Sequence, residues 1–147
     1  MDSMLRTFVL MIISALTVAT STAAGLPEIE VWKDPNCGCC TKWIDHMRQA
    51  GFDVNAHDTA RVDAARAKLE MPTRYAACHT ARVGGYVIEG HVPAADVKRL
   101  LEERPEAIGL AVPGMPMGSP GMEGPHSEPY QTLLIGRSGK ASVFAEH

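Results

Sequence analysis

Neither sign of charge runs in a block along this chain, and no apolar stretch reaches the roughly 20 residues that a membrane-spanning helix needs. The 147 residues carry 14 Lys and Arg against 17 Asp and Glu, a formal net charge of −3, with the signs interspersed. That distribution excludes a nucleic-acid partner and a membrane-surface partner, both of which need a concentrated basic footprint. No internal repeat is present, which excludes a solenoid or propeller. Partners are therefore expected to be proteins or small ions.

The longest apolar run sits near the start. Thr7 to Val18 (TFVLMIISALTV) follows Arg6 and leads into small residues ending Thr22-Ala23-Ala24. This is the layout of an export signal with its cleavage site. No cysteine follows the apolar run, so a lipid anchor has no attachment point, and no stable membrane anchor is expected. Residues 1–24 are read as a signal peptide and 25–147 as one exported, soluble domain. Roughly 120 residues are enough to build one hydrophobic core and too few for two.

Three of the four cysteines fall in one tetrapeptide, Cys37-Gly38-Cys39-Cys40. Alternation from Ile29 to Trp32 predicts a strand before it. Asp34-Pro35-Asn36 ends that strand, and Asn36 is placed to cap a helix. The spacing of Trp43, Ile44, Met47 and Ala50 continues the helix, which Gly51 stops. Phe52 to Ala56 reads as a second strand. A helix follows through Val62, Ala65 and Leu69, capped by Asp58 or Thr59 and ended by Met71-Pro72.

The stretch from Thr73 to Ala81, with Cys78-His79, reads as irregular. Val83 to Ile88 reads as a strand broken early by Gly84-Gly85. Gly90-His91-Val92-Pro93 leads into a helix over 94–103. Between Pro113 and Pro129 lies a Gly/Pro-rich loop holding Met115, Met117 and Met122. Thr132–Ile135 and Ala141–Ala145 flank Gly136-Arg137-Ser138-Gly139 as a β-hairpin.

The order strand, cysteine motif, helix, strand, helix and terminal hairpin resembles the thioredoxin fold. The expected class is therefore α/β and thioredoxin-like: a central mixed sheet, a terminal hairpin and an inserted segment bearing Cys, His and Met. Thioredoxin-like domains place a proline before the hairpin, facing the cysteine motif and usually cis, and Pro129 stands in that position. No helix follows this hairpin, so the helix over 94–103 is expected to take its place.

Cysteines at a helix start feel the positive end of the helix dipole, which favours thiolate. Cys37 and Cys40 have the spacing of a dithiol oxidoreductase, with Cys37 as nucleophile and Cys40 as resolving thiol. Cys39 argues against that chemistry, because it offers a competing mixed disulfide, whereas a metal site gains a ligand. Pairing Cys37 with Cys40 and Cys39 with Cys78 as staples is a further alternative, but the first would close only a tiny loop.

Thiolates select Cu(I), Zn(II) or iron–sulfur clusters. Thioether sulfur suits Cu(I) and not Zn(II), and Met115 and Met117 have no helical face to fill. If the segment carrying Cys78 folds over the helix start, four thiolates converge, and one tetrahedral zinc is possible. Adjacent Cys39 and Cys40 cannot easily face one ion, which favours several bridged Cu(I) ions. His79, beside Cys78, and His91 are further candidate ligands. His46 is expected to face solvent, while His57, His126 and His147 are weak candidates. Trp32 and Trp43 are expected in the core.

The segments VWKDPNCGCC with TKWIDHM, ACHTARVGGYVIEGHVP, GLAVPGMPMGSPGME and YQTLLIG together resemble the CopG-type periplasmic copper-resistance proteins. The resemblance spans nearly all of residues 25–147. It implies a thioredoxin-like periplasmic domain that binds copper, with Cys37, Cys39, Cys40 and Cys78 as ligands. His79, His91, Met115 and Met117 carry over as neighbours of the site. The expected function is exported copper handling, holding Cu(I) on clustered thiolates with possible redox cycling, alongside other periplasmic copper-handling proteins. The alternative is a metal-independent thiol–disulfide oxidoreductase on Cys37 and Cys40.

Overall fold

The structure is a computed structural model that describes residues 25–147, so the expected signal segment lies outside the described residues. Seven strands form one mixed sheet: β1 (Ile29–Lys33), β2 (Val54–Asp58), β3 (His79–Val83), β4 (Tyr86–Gly90), β5 (Ala107–Val112), β6 (Gln131–Gly136) and β7 (Ala141–Glu146). Their order across the sheet is β2-β1-β3-β4-β5-β6-β7. The helices are α1 (Gly38–Gln49), α2 (Val62–Lys68) and α3 (Ala94–Glu103).

Two parallel crossovers organise the sheet. β1 and β2 are parallel and joined through α1, while β4 and β5 are parallel and joined through α3. The other neighbours are antiparallel. Period-two alternation then sends the strand side chains to two faces. On one face Val31, Ala81, Ile88 and Val112 pack with Trp43, Ile44 and Met47 of α1 and with Val97 and Leu100 of α3. On the other, Val87, Ala111 and Ile135 pack with Met71 and with Leu69, which follows α2.

The α1 start differs from expectation by one residue. Cys37, not Asn36, is the N-cap, and its Sγ accepts from Cys40 N at 3.3 Å. Gly51 closes the helix at φ +96°, a conformation that costs glycine little. β2 begins two residues after Phe52, whose ring is buried in the core. Asp58 ends β2 and pairs with Lys33 at 2.8 Å, so neither it nor Thr59 caps α2; the N-cap is Arg61, whose N–H Thr59 Oγ1 accepts at 3.0 Å.

Gly84 and Gly85 do not break a strand. Both have positive φ (+54° and +89°), as a two-residue hairpin turn requires, and they join β3 to β4. His79–Ala81 therefore belong to a strand, where an irregular segment was expected. β5 was not expected from the sequence, and Gly109 lies within it. A Cβ at Gly109 would stand 1.7 Å from Val87 O, so only glycine lets β5 lie beside β4 there. The hairpin β6–β7 forms as expected. The peptide bond before Pro129 is trans, not cis. α3 follows the β3–β4 hairpin, and among the described residues no helix follows β7.

Candidate metal centre

The cysteine motif lies where β1 hands over to α1. Cys37 and Cys40 are joined as a disulfide, and Cys39 and Cys78 are free thiols. Cys40 points inward and is fully buried, while Cys37 and Cys39 are half-buried. The four Sγ atoms lie within 4.8 Å of one another. Cys39 is the hub of the group. Its Sγ is 3.5 Å from Cys37 Sγ, 3.9 Å from Cys78 Sγ and 3.9 Å from Met115 Sδ.

Cys78 reaches this point because the residue before it is held on both sides. Arg66 Nε donates to Glu89 Oε1 at 2.8 Å, and both side chains are buried. Arg66 Nη2 donates to Ala77 O, and Ala77 N donates to Glu89 Oε1, each at 2.8 Å. Gly90, with φ +72°, lets Ala77 approach, since a Cβ there would lie 2.5 Å from Ala77 Cβ.

A second donor set shares Cys78. Its Sγ is 3.0 Å from His91 Nε2 and 3.4 Å from His79 Nδ1, and all three atoms lie within 4.8 Å of one another. Both imidazoles are fully buried. His79 packs its ring against Trp43 at 4.4 Å between centroids. Trp43 Nε1 in turn donates to Val92 O at 2.9 Å, tying α1 to the chain after β4.

Burial sets the protonation of this pocket. It pushes the Cys78 thiol up to about 12, with the neighbouring Cys39 sulfur adding to the shift. It pulls His79 down to about 3, helped by His91, and it lowers His91 against the pull of Glu123. Neutral imidazoles have free lone pairs at neutral pH, and a protonated buried thiol is one that only a cation would ionise.

The Gly/Pro-rich loop closes over α1. Gly121 has φ +95°, and a Cβ there would sit 2.5 Å from Cys39 O and 3.2 Å from Trp43 N. This contact brings Met115 to Cys39 and seats buried Ser119 3.4 Å from His91 Nδ1. Met115 and Met117 are 50% and 37% exposed, so neither fills the core. Met117 makes no sulfur contact with the cysteines comparable to that of Met115.

The remaining histidines sort differently from expectation in one case. His46 is half-buried, and its Nε2 accepts Ala94 N–H at 3.0 Å, so it caps α3 instead of facing solvent. His57 stacks on Trp32, His147 pairs with Asp96, and His126 is exposed. Trp43 is in the core, but Trp32 is only half-buried. Arg66, Glu89 and Ser119 had no signal as site residues. An arginine and a glutamate that are buried look like any surface pair in a sequence.

The donor chemistry fits a soft ion. Two thiolates on one tetrahedral ion at about 2.3 Å stand about 3.8 Å apart, close to the 3.9 Å between Cys39 and Cys78. A mixed α/β domain with soft donors gathered at one helix start defines a class of thiol-rich, metal-competent proteins. Two solved structures, "Copper resistance protein copG- Form 1" and "Form 2", are each 47% identical to this chain and superpose with TM-scores of 0.79 and 0.78. They match over 84% and 83% of this chain and 98% of their own. A family model described as "Protein of unknown function, DUF411" matches residues 75–122, the span from Tyr75 through Cys78, His91 and Met115. No curated protein matches the sequence. The chain belongs to the CopG copper resistance protein family.

Proposed function

We propose that this protein is an exported, periplasmic copper-resistance protein that holds Cu(I) on Cys37, Cys39, Cys40 and Cys78 as a small thiolate-bridged cluster. The observation that carries the reading is the position of Cys39, whose sulfur lies within 3.9 Å of two other cysteine sulfurs and of the Met115 thioether. A sulfur with three sulfur neighbours and a half-exposed face is suited to bridging. Cys40 turns inward while Cys39 turns toward the loop, so the adjacent pair serves different ions more readily than one. His79, His91 and Met115 are the flanking donors, and Met117 stands further out on the loop. That the two solved relatives are copper resistance proteins supports copper as the metal, and so do the thioether and the thiolates.

Loading all four thiolates requires the Cys37–Cys40 bond to open. That step takes two electrons and two protons from an external thiol reductant, giving two cysteine thiols. Copper binding then releases the thiol protons. Passing two electrons and two protons from the emptied Cys37 and Cys40 thiols to an external disulfide, which is reduced to two thiols, restores the bond, so redox state and copper load are linked.

We also infer that β1, α1, β2, α2, β3, β4 and α3 form a thioredoxin-like unit, with β5–β7 as the added part. On that mapping the hairpin facing the cysteine motif is β3–β4, and the residue before it is Cys78, not Pro129. A ligand would then stand where that fold usually keeps a proline.

The test is an anaerobic Cu(I) titration of the reduced chain against a competing chelator, followed by native mass spectrometry. More than one tightly held copper per chain is expected, with Cys39→Ser lowering the count sharply. Unchanged loading in that variant would sink the bridging role. The disulfide itself favours one second reading, a thiol–disulfide oxidoreductase with half-buried Cys37 attacking and buried Cys40 resolving. That enzyme would reduce a model disulfide without metal and would tolerate Cys39→Ser.

A further inference from the structure

Closing the Cys37–Cys40 disulfide removes two of the four clustered thiolates, yet Cys78, His79 and His91 include neither of them. We propose that these three residues form a mononuclear site for one borderline divalent ion, Zn(II) or Cu(II), when the Cys37–Cys40 disulfide is closed, with Cys78 shared between this site and the reduced cluster. The inference rests on the reading of this pocket as a metal site, but it does not need the four-thiolate cluster to assemble.

Hydrogen-bond bookkeeping makes His91 a ready ligand. The Ser119 hydroxyl has one proton, and it goes to Pro116 O at 2.7 Å. Toward His91 Nδ1, 3.4 Å away, Ser119 can then only accept. Nδ1 therefore carries the imidazole proton, and the lone pair on Nε2 faces Cys78 Sγ. An outer partner that fixes the tautomer in this way is the usual companion of a metal-ligating histidine.

His79 is the second nitrogen donor, through Nδ1. Its Nε2 is buried with no hydrogen-bond partner among the described residues. Its outer support is a loose contact with the Gly90 backbone, which makes it the weaker of the two ligands.

The separations suit an ion after a small adjustment. A thiolate and an imidazole on one tetrahedral ion stand about 3.6 Å apart, from metal–sulfur and metal–nitrogen lengths of about 2.3 and 2.05 Å. The 3.4 Å to His79 is near that value. The 3.0 Å to His91 is short, as for a thiol donating to Nε2, and must open by about half an ångström. The grip of Arg66 and Glu89 on Ala77 keeps Cys78 in place meanwhile. One thiolate and two imidazoles suit copper or zinc better than a hard ion. Cys39 Sγ, 3.9 Å from Cys78 Sγ, is available as a further soft donor.

The experiment uses the chain with its disulfide closed, verified by two titratable free thiols, and Co(II) alone as the probe. One Co(II) per chain is expected, with thiolate-to-metal charge-transfer and tetrahedral ligand-field bands that Zn(II) abolishes on displacement. His91→Gln should weaken Co(II) at least tenfold, and Ser119→Ala about tenfold through loss of the tautomer lock.

Absence of the charge-transfer band in the disulfide form would overturn the proposal. So would equal affinity in His91→Gln, or a count of zero free thiols caused by a Cys39–Cys78 bond. Cu(I) uptake by the reduced chain is read separately. Failure here with multiple copper ions bound there leaves the cluster standing, and the converse result leaves this site standing.

Discussion

Replacing Glu89 with Gln should cost about 3 kcal/mol of stability, and pairing that change with Arg66→Met should recover much of it. The two side chains are 0% and 7% exposed, with Nε and Oε1 2.8 Å apart. Removing one partner of a buried pair leaves the other charge unpaired, which costs about 3–5 kcal/mol. Glutamine can still accept from Ala77 N, which places the change at the low end. Arg66→Met should cost less, because burial already raises the Glu89 pKa against the pull of Ala77 N–H and Arg66, so the lone carboxyl can take up a proton. With neither charge present the penalty disappears, and the double variant should fall short of the sum of the singles by more than about 1 kcal/mol. Urea denaturation followed by circular dichroism measures all four proteins. At a slope of about 2 kcal/mol per molar, Glu89→Gln should lower the midpoint by about 1.5 M. Additivity within about 0.5 kcal/mol, or a Glu89→Gln cost below about 1 kcal/mol, would refute the clamp.

Gly121→Ala should cost about 2 kcal/mol and lift the loop from α1, since φ is +95° and the new Cβ would lie 2.5 Å from Cys39 O. Limited proteolysis within residues 113–129 should then become faster, and an unchanged cleavage rate would argue against the close seat. Acid should destabilise the metal-free fold through His79. The unfolded chain protonates this histidine near its ordinary 6.5, whereas the buried ring stays neutral down to about 3. Its contribution is therefore complete above about 6.5 and is lost as pH falls toward about 3, by up to about 5 kcal/mol in all. His79→Gln should flatten that part of the stability–pH curve, and an identical curve would place the acid sensitivity elsewhere.

Much of the site was legible because its signals are local. Three cysteines in a tetrapeptide at a strand–helix junction need no tertiary information to be noticed. α1 and α3 were readable from helical spacing and their bounding Gly and Pro residues. β5 was not, because Ala107–Val112 is a short apolar run with a central glycine, and only the neighbouring carbonyl of Val87 shows why glycine is there. β3 was hidden because it starts at His79, directly after Cys78, and that pair reads as ligand chemistry before it reads as strand. Gly84-Gly85 reads equally as an interruption, because a hairpin turn and a strand break use the same residues.

His46 shows the same limit at the scale of one side chain. Its place on the outer part of α1 predicted solvent, but α3 begins beside it and supplies an N–H to accept. The sequence by itself determined the chemistry available: soft sulfur donors gathered at a helix start, with imidazoles and thioethers downstream. Residue type sets donor softness, and no fold can change that. Only the tertiary structure decided which donors meet. Cys78 lies 39 residues beyond Cys39 and Met115 lies 76 beyond it, and they converge because β3 pairs with β1 and the loop seats Gly121 on α1. The protonation of the pocket was decided there too, since desolvation depends on what covers a group and not on its neighbours in the chain.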